Sequence, residues 1–331
     1  MIDAARGCLV GLAVGDALGQ PTEGLEPSAI RARWGRIEGL LDPAAAVSDD
    51  TEYALFAARV LLDLGGELTS DAVADAWLAH IVPQAGGFKG AGFSEMAAID
   101  GLRRGLRPPA SGRHYHAWSD GLAMRVAPYA VLEAGDPAGA ARLARIDGVV
   151  SHDGEGIFAG EAVAASIAVA MTAAPDDLPW VLDVALDHVP HDSWTARELR
   201  RGLAIGRAAT DAWAAIEPLH AAIAVPRYPW TDLAPEAVGL AWGLLAAGRG
   251  DLPATLLAAV NLGRDADTVA AIAGAVLGAL HGASAIPDAW RGVLRPAEGR
   301  CLRCVAGMDV REVADALVAL RSSRPGREAR A

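Results

Sequence analysis

Thr268-Val269-Ala270-Ala271-Ile272-Ala273-Gly274-Ala275-Val276-Leu277-Gly278-Ala279-Leu280 is the stretch on which the fold turns. Val269, Ile272, Val276, Leu277 and Leu280 recur at the spacing of one helical face. Apart from the opening Thr268, the residues between them are Ala or Gly. A helix that is apolar all round has no face to offer water, so it belongs in the interior. Its first turn must then be buried or sit at the floor of a cleft. It is too short to cross a membrane, as is every other apolar run in the chain.

The same period extends outward from this stretch. Tyr53, Phe56, Val60, Leu61 and Leu64 share a helical face, and residues 72–81, 160–171, 197–215 and 310–320 also read as helices. Alternating apolar and polar residues, the mark of a half-buried strand, are absent. Turn signals at Pro108-Pro109, Gly135-Asp136-Pro137 and Pro175-Asp176-Asp177 separate the helices. No Ser/Gly linker divides the 331 residues, so residues 1–321 read as one all-α domain, followed by a polar, Arg-rich tail at 322–331. Apolar residues make up 52% of the chain and aromatic ones 5%, a bias toward Ala and Leu that favours helix over sheet. Gly7, Gly11, Gly15 and Gly19 form a stripe in the first helix. Each glycine inside a helix costs about 1 kcal/mol against alanine, so a second backbone is expected close against that face.

Charge and thiol content narrow the function classes. Asp plus Glu number 41 against 29 Lys plus Arg, a net charge of −12, which offers no general attraction to nucleic acid or anionic lipid. Lys89 is the only lysine. It stands in Gly86-Gly87-Phe88-Lys89-Gly90, without phosphate-loop spacing, and a Schiff-base enzyme is disfavoured. Cys8, Cys301 and Cys304 are too few for a disulfide framework, and one C-x-x-C without a second pair reads as two ordinary thiols. Met1-Ile2-Asp3-Ala4-Ala5-Arg6 lacks the pattern of a secretory leader, so the expectation is a soluble cytoplasmic protein, a monomer or small homo-oligomer.

Two acidic clusters open helices. In Ser48-Asp49-Asp50-Thr51-Glu52, Asp49 and Glu52 resemble a capping box, which leaves the adjacency of Asp49 and Asp50 unexplained. In Gly263-Arg264-Asp265-Ala266-Asp267-Thr268, a second Asp again exceeds what a cap requires. Capping is one reading of both. The other is that the two helix starts converge, giving an all-oxygen set of four carboxylates and two hydroxyls that would need divalent cations. His114, Tyr115, His116 and Trp118 form a possible stacking wall or a partly buried loop, and Trp194, Trp213, Trp230 and Trp242 read as packing residues.

Four motifs taken together resemble the ADP-ribosylglycohydrolase family: Gly11-Leu12-Ala13-Val14-Gly15-Asp16-Ala17-Leu18-Gly19 with Glu23; Ser48-Asp49-Asp50-Thr51; Gly121-Leu122-Ala123-Met124-Arg125; and Gly263-Arg264-Asp265-Ala266-Asp267-Thr268. The resemblance implies a compact orthogonal multi-helix bundle with two Mg²⁺ (or Mn²⁺) at the base of a cleft, and hydrolysis of a ribosyl glycosidic bond. Carried over, Ser48, Asp49, Asp50, Asp265, Asp267 and Thr268 would hold the metals. Glu23, Asp49, Asp50 and Asp265 would be the catalytic acids, with Asp16 structural. Trp118, Asp120, Gly121, Leu122, Ala123, Met124, His152 and Arg264 would contact substrate. The implied substrate is an ADP-ribosylated protein side chain or nucleotide adduct. Arg264 stands where the family has Gly, and Asp120 where it has Asn. A guanidinium there could bind phosphate, neutralise charge or narrow the cleft, and an acid at Asp120 is a poor neighbour for a diphosphate. Both changes favour an alternative, an N-glycosidase of small ribosides. A catalytically silent member with a binding or structural role is the remaining alternative.

Overall fold

The computed structural model describes every residue except 43–45, 226–227, 229 and 325–331. The helices are, in chain order, α1 (Ile2–Gly19), α2 (Pro27–Trp34), α3 (Asp49–Asp63), α4 (Ser70–His80), α5 (Phe93–Arg103), α6 (Ala127–Leu132), α7 (Pro137–Gly148) and α8 (Glu155–Ala170). They continue with α9 (Leu178–Asp187), α10 (Trp194–Ala208), α11 (Ala212–Ile223), α12 (Ala234–Gly248), α13 (Leu252–Leu262), α14 (Ala266–His281), α15 (Asp288–Arg291) and α16 (Val310–Ser323). Among the described residues there is no strand, and the one bridge of extended backbone joins Ser119 to Leu233. The fold is all-α, as the periodicity predicts.

The glycine stripe finds its partner in the interior helix. α1 and α14 run antiparallel, and a Cβ at Gly7, Gly11, Gly15 or Gly19 would overlap the backbone of Gly278, Gly274, Ala270 or Ala266 respectively. Such contact lets two backbones approach as far as their atoms allow, and only glycine permits it. Every residue of α14 from Ala266 to Leu280 is buried, as its composition requires. A second seam of the same kind joins α10 to α12, where a Cβ at Gly202 or Gly206 would strike the carbonyl of Gly239 or Gly243. The apolar residues of these and the surrounding helices form one contiguous core.

Two expected boundaries move. The helix expected over 197–215 is two helices, because Asp211 accepts a hydrogen bond from the Ala214 N–H at 2.9 Å and starts α11 afresh. α16 continues through Ser322 and Ser323 into the expected tail, and residues 325–331 lie outside the described residues. No described helix is long and apolar enough to cross a membrane. Cys301 and Cys304 are free thiols in a loop that Glu52 ties to α3, accepting from the backbone N–H groups of Arg300, Cys301 and Leu302 at 2.8, 2.7 and 2.8 Å.

Candidate active site

Three helix ends meet at one point. The antiparallel seam sets Gly19, at the end of α1, against Ala266 and Asp267, at the start of α14. Asp16, on the last turn of α1, fixes the start of α3. Its carboxylate accepts from the Ser48 N–H at 2.9 and 3.0 Å, the Thr51 N–H at 3.2 Å and the Thr51 hydroxyl at 2.5 Å. The stripe of glycines therefore brings the two acidic clusters together, although they lie some two hundred residues apart in sequence.

Capping does not account for these acids. Ser48, not Asp49, caps α3, its Oγ accepting from the Asp50 N–H at 3.2 Å. Glu52 is committed to the 300–302 loop, so the capping-box reading is corrected. Asp265 occupies the cap position of α14 but its side chain makes no capping hydrogen bond. Instead the carboxylates face one another. One oxygen each from Asp16, Asp50 and Asp267 lie within 4.8 Å of one another, and so do oxygens of Glu23, Asp265 and Asp267. Asp267 belongs to both groups.

The electrostatics of this floor are unbalanced. Asp50 Oδ1, Asp120 Oδ2 and Asp267 Oδ1 are buried and have no hydrogen-bond partner. Burial, with repulsion from neighbouring acids, pushes the carboxyl groups of Asp49, Asp50, Asp120 and Asp267 well above the usual range. Asp16 rises to about 6 through burial, opposed by its hydrogen bonds to Thr51 and Ser48. Glu23 rises to about 7 through partial burial and the charges of Asp265 and Asp16, against the pull of Lys89. Buried ionised acids at this density need protons or cations. The clustered oxygens, with the hydroxyl-bearing Thr268 lining the same cavity as Asp50, are a donor set that suits a hard divalent ion.

Above the floor opens a cavity of about 530 Å³. Of the residues expected from sequence, Glu23, Asp49, Asp50, Asp120, Gly121, Met124, Asp265, Asp267 and Thr268 line it. Ser48 sits behind the lining as the cap of α3. Leu122 and Ala123, expected to contact substrate, are instead core residues. Asp120–Arg125 is a 3₁₀ helix, whose residues eclipse every third position, so Gly121 and Met124 share the cavity face while Leu122 packs under α7 and α8 at Gly148 and Gly160. His152 is also placed behind the wall, fully buried between Ser119 and Ser151 at 3.1 and 2.8 Å, and burial holds it neutral. Trp118 lies over Gly154, outside the lining, and is 44% exposed.

Arg264 is the clearest correction. Its guanidinium pairs with Glu236 at 2.7 and 3.2 Å and with Glu26 at 3.2 Å and does not line the cavity, so it neither meets a phosphate there nor narrows the cleft. Its φ of 60° is the left-handed conformation that favours Gly, and the ion pairs offset a strain of roughly 1 kcal/mol. Among the lining residues that sequence reasoning missed are Phe93, Met96, Trp230 and Asp232. Trp230, expected as packing, stands 45% exposed at the cavity wall. Asp232 is held there by the bridge of Ser119 to Leu233, in which its carbonyl accepts from the Asp120 N–H at 3.1 Å. Its carboxyl group rises to about 7 through burial and the charge of Asp265.

Residues 1–326 match the ADP-ribosylglycohydrolase family. The chain belongs to that family. A protein of uncharacterised function from Archaeoglobus fulgidus is 31% identical over 88% of this chain and 91% of its own length. The uncharacterised protein YegU of Escherichia coli K12 is 27% identical over 87% and 90%. A solved chain of an ADP-ribosylglycohydrolase-related protein complex superposes with a TM-score of 0.68 at 26% identity, covering 97% of this chain and 98% of that one. Membership of the ADP-ribosylglycohydrolases points to hydrolysis of a glycosidic bond, and among the described residues of this family member the acidic floor groups carboxylates that could hold a metal.

Proposed function

We propose that the chain is a metal-dependent hydrolase of ribosyl glycosidic bonds, with two divalent ions, Mg²⁺ or Mn²⁺, held by Ser48, Asp49, Asp50, Asp265, Asp267 and Thr268. The observation that carries this reading is the pair of carboxylate groups sharing Asp267, with buried oxygens of Asp50 and Asp267 left without partners. Divalent ions bound there would supply charge neutralisation, Lewis acidity and an anchor for ribose hydroxyls. The remaining work falls to side chains. Glu23 faces the cavity beside Asp265 and Asp267, placed to accept a proton from water and return it to a leaving group. Water adds to the ribose anomeric carbon, the glycosidic bond breaks, and its electron pair departs with the aglycone. The carboxylates around the ring stabilise the positive charge that develops on the sugar. Asp16 acts by holding Ser48 and Thr51 in place.

The substrate that the family suggests is ADP-ribose on a protein side chain or nucleotide adduct. A second reading, hydrolysis of a small riboside, is favoured by the cavity itself. Glu23, Asp49, Asp50, Asp120, Asp232, Asp265 and Asp267 line it, and no Lys, Arg or His is among the described lining residues. Two divalent ions balance four carboxylates in formal charge, so acidic groups would still face any diphosphate.

The test is product analysis with ADP-ribosyl-arginine, ADP-ribosyl-serine and simple nucleosides, with Mg²⁺, with Mn²⁺ and with chelator. At least one class is hydrolysed, only with metal, and Asp49→Ala loses about 100-fold or more. If nothing is hydrolysed, and Mg²⁺ leaves the Tm of wild type and of Asp49→Ala alike unmoved, the protein is a silent family member and the proposal fails.

A further inference from the structure

The cavity has two unlike halves. Besides the acidic floor, the cavity is lined by Phe93, at the start of α5, Met96 one turn on, and Trp230, which together form an apolar wall. The Phe93 and Trp230 rings lie 5.7 Å apart at 47°, and the His116 ring packs against both at 5.1 and 5.0 Å. Of the His114–Trp118 cluster, His116 thus supports the wall from behind, while Tyr115 is 91% exposed. Met96 and Trp230 remain 43% and 45% exposed, so a concave site carries large apolar surface open to a ligand.

Asp120 and Asp232 stand where this wall meets the floor. Asp120 is buried with Oδ2 unpartnered, and the Asp232 carboxylate lies against Gly92, next to Phe93. The unpartnered Asp120 oxygen is an acceptor in a junction of two carboxyl groups, so this junction favours a ligand that carries N–H donors or positive charge. Aromatic faces select a flat ring. With no cationic side chain among the described lining residues, the same surface disfavours a diphosphate.

We infer that Phe93, Met96 and Trp230, with Asp120 and Asp232, form the aglycone subsite for a nucleobase-type leaving group, a flat nitrogen heterocycle with N–H donors or a cationic ring, and that the substrate is the corresponding small riboside rather than an ADP-ribosyl adduct. This rests on the ribosyl-hydrolase reading of the floor and names its substrate. Water is added across the bond between the anomeric carbon and the ring nitrogen. Hydroxide goes to carbon, and the bonding pair goes to nitrogen. A neutral base takes the second proton of the water, whereas a cationic ring leaves neutral and that proton passes to solvent.

The experiment measures kcat and KM for adenosine, inosine, nicotinamide riboside and ADP-ribosyl-arginine on the Mg²⁺-supplemented protein, in wild type, Trp230→Ala and Asp232→Asn. At least one small riboside is expected to exceed ADP-ribosyl-arginine by tenfold or more in kcat/KM. Loss of one stacking face should raise its KM about tenfold in Trp230→Ala with kcat within about threefold, the pattern of lost ground-state binding. Asp232→Asn should weaken the cationic nicotinamide riboside more than inosine. Preference for ADP-ribosyl-arginine, or an unchanged KM in Trp230→Ala, overturns the inference while leaving the hydrolase reading intact. If wild type hydrolyses nothing, that reading falls by itself, and calorimetry with free hypoxanthine and nicotinamide still tests the subsite. Binding that Trp230→Ala abolishes supports it; binding that is absent, or equal in the two proteins, refutes it.

Discussion

Two clusters of buried acids lie on either side of Gly121, and the protein treats them in opposite ways. Behind Gly121 lie Glu95, Asp147 and Arg125. The guanidinium donates to Asp147 and Glu95 at 2.7 Å each, to the Ser151 hydroxyl at 2.8 Å and to the Gly121 carbonyl at 3.1 Å. Burial works against its charge, yet Asp147 and Glu95 outweigh burial and hold it protonated. In front of Gly121 lies the cavity floor, where acids face acids and three buried oxygens have no partner. The first cluster is closed and complete; the second is completed only by something from outside. A Cβ at Gly121 would overlap the Glu95 carboxylate, so the glycine lets the closed network press directly against the 3₁₀ turn that lines the cavity. Buried charge by itself is thus no sign of a site, and the sign is charge that the protein leaves unmatched.

The largest expected effect comes from opening the closed network. Arg125→Met leaves Glu95 and Asp147 buried without a cation and should lower stability by about 3–5 kcal/mol. Urea unfolding followed by circular dichroism measures it. A loss below about 1 kcal/mol would mean that the two clusters do not differ in the way described.

A smaller and opposite effect should appear at the floor as pH changes. Asp16 titrates near 6 and Glu23 and Asp232 near 7, all above their unfolded values close to 4. Between those limits the folded metal-free protein binds more protons than the unfolded chain, so its stability falls as pH rises from about 4 to 7. Divalent ions compete with those protons, so the stabilisation by Mg²⁺ should grow over the same interval. Thermal melts in chelator and in Mg²⁺ at pH 5, 6, 7 and 8 test both signs. A metal-free Tm that climbs steadily to pH 8 contradicts the picture.

How much of this contrast could be read in the sequence depends on the range of the contacts that create it. The seam was legible because four glycines at one spacing are costly in a helix and need a partner. Asp49 with Asp50 and Asp265 with Asp267 were legible because each pair holds one acid more than a cap can use. Which residues of Gly121-Leu122-Ala123-Met124 reach the cavity was not, since that depends on a 3₁₀ rather than an α-helical turn. Arg264 misled because its type suggests a ligand contact, whereas its left-handed backbone and its pairing with Glu236 are tertiary facts. Phe93 and the pair Trp230 and Asp232 come from separate segments, joined by the Ser119 N–H donating to Ser94 and by the bridge of Ser119 to Leu233, and no local period marks them.

The smallest effect makes the sharpest comparison, because it reverses the usual sign of a buried mutation. Asp267→Asn keeps the shape of the side chain and gives it an N–H donor beside Asp265, where the native oxygen Oδ1 has no partner. In chelator at pH 8 this variant should be more stable than wild type by about 1 kcal/mol, since one repulsive contact becomes a hydrogen bond. In Mg²⁺ the order should invert, because wild type gains a ligand-linked increment that grows with free metal and the variant gains less. Paired melts of the two proteins over a Mg²⁺ series read the crossing directly. A variant less stable than wild type at every Mg²⁺ concentration would show that Asp267 serves the fold as Asp147 does, and the distinction between the two clusters would be lost.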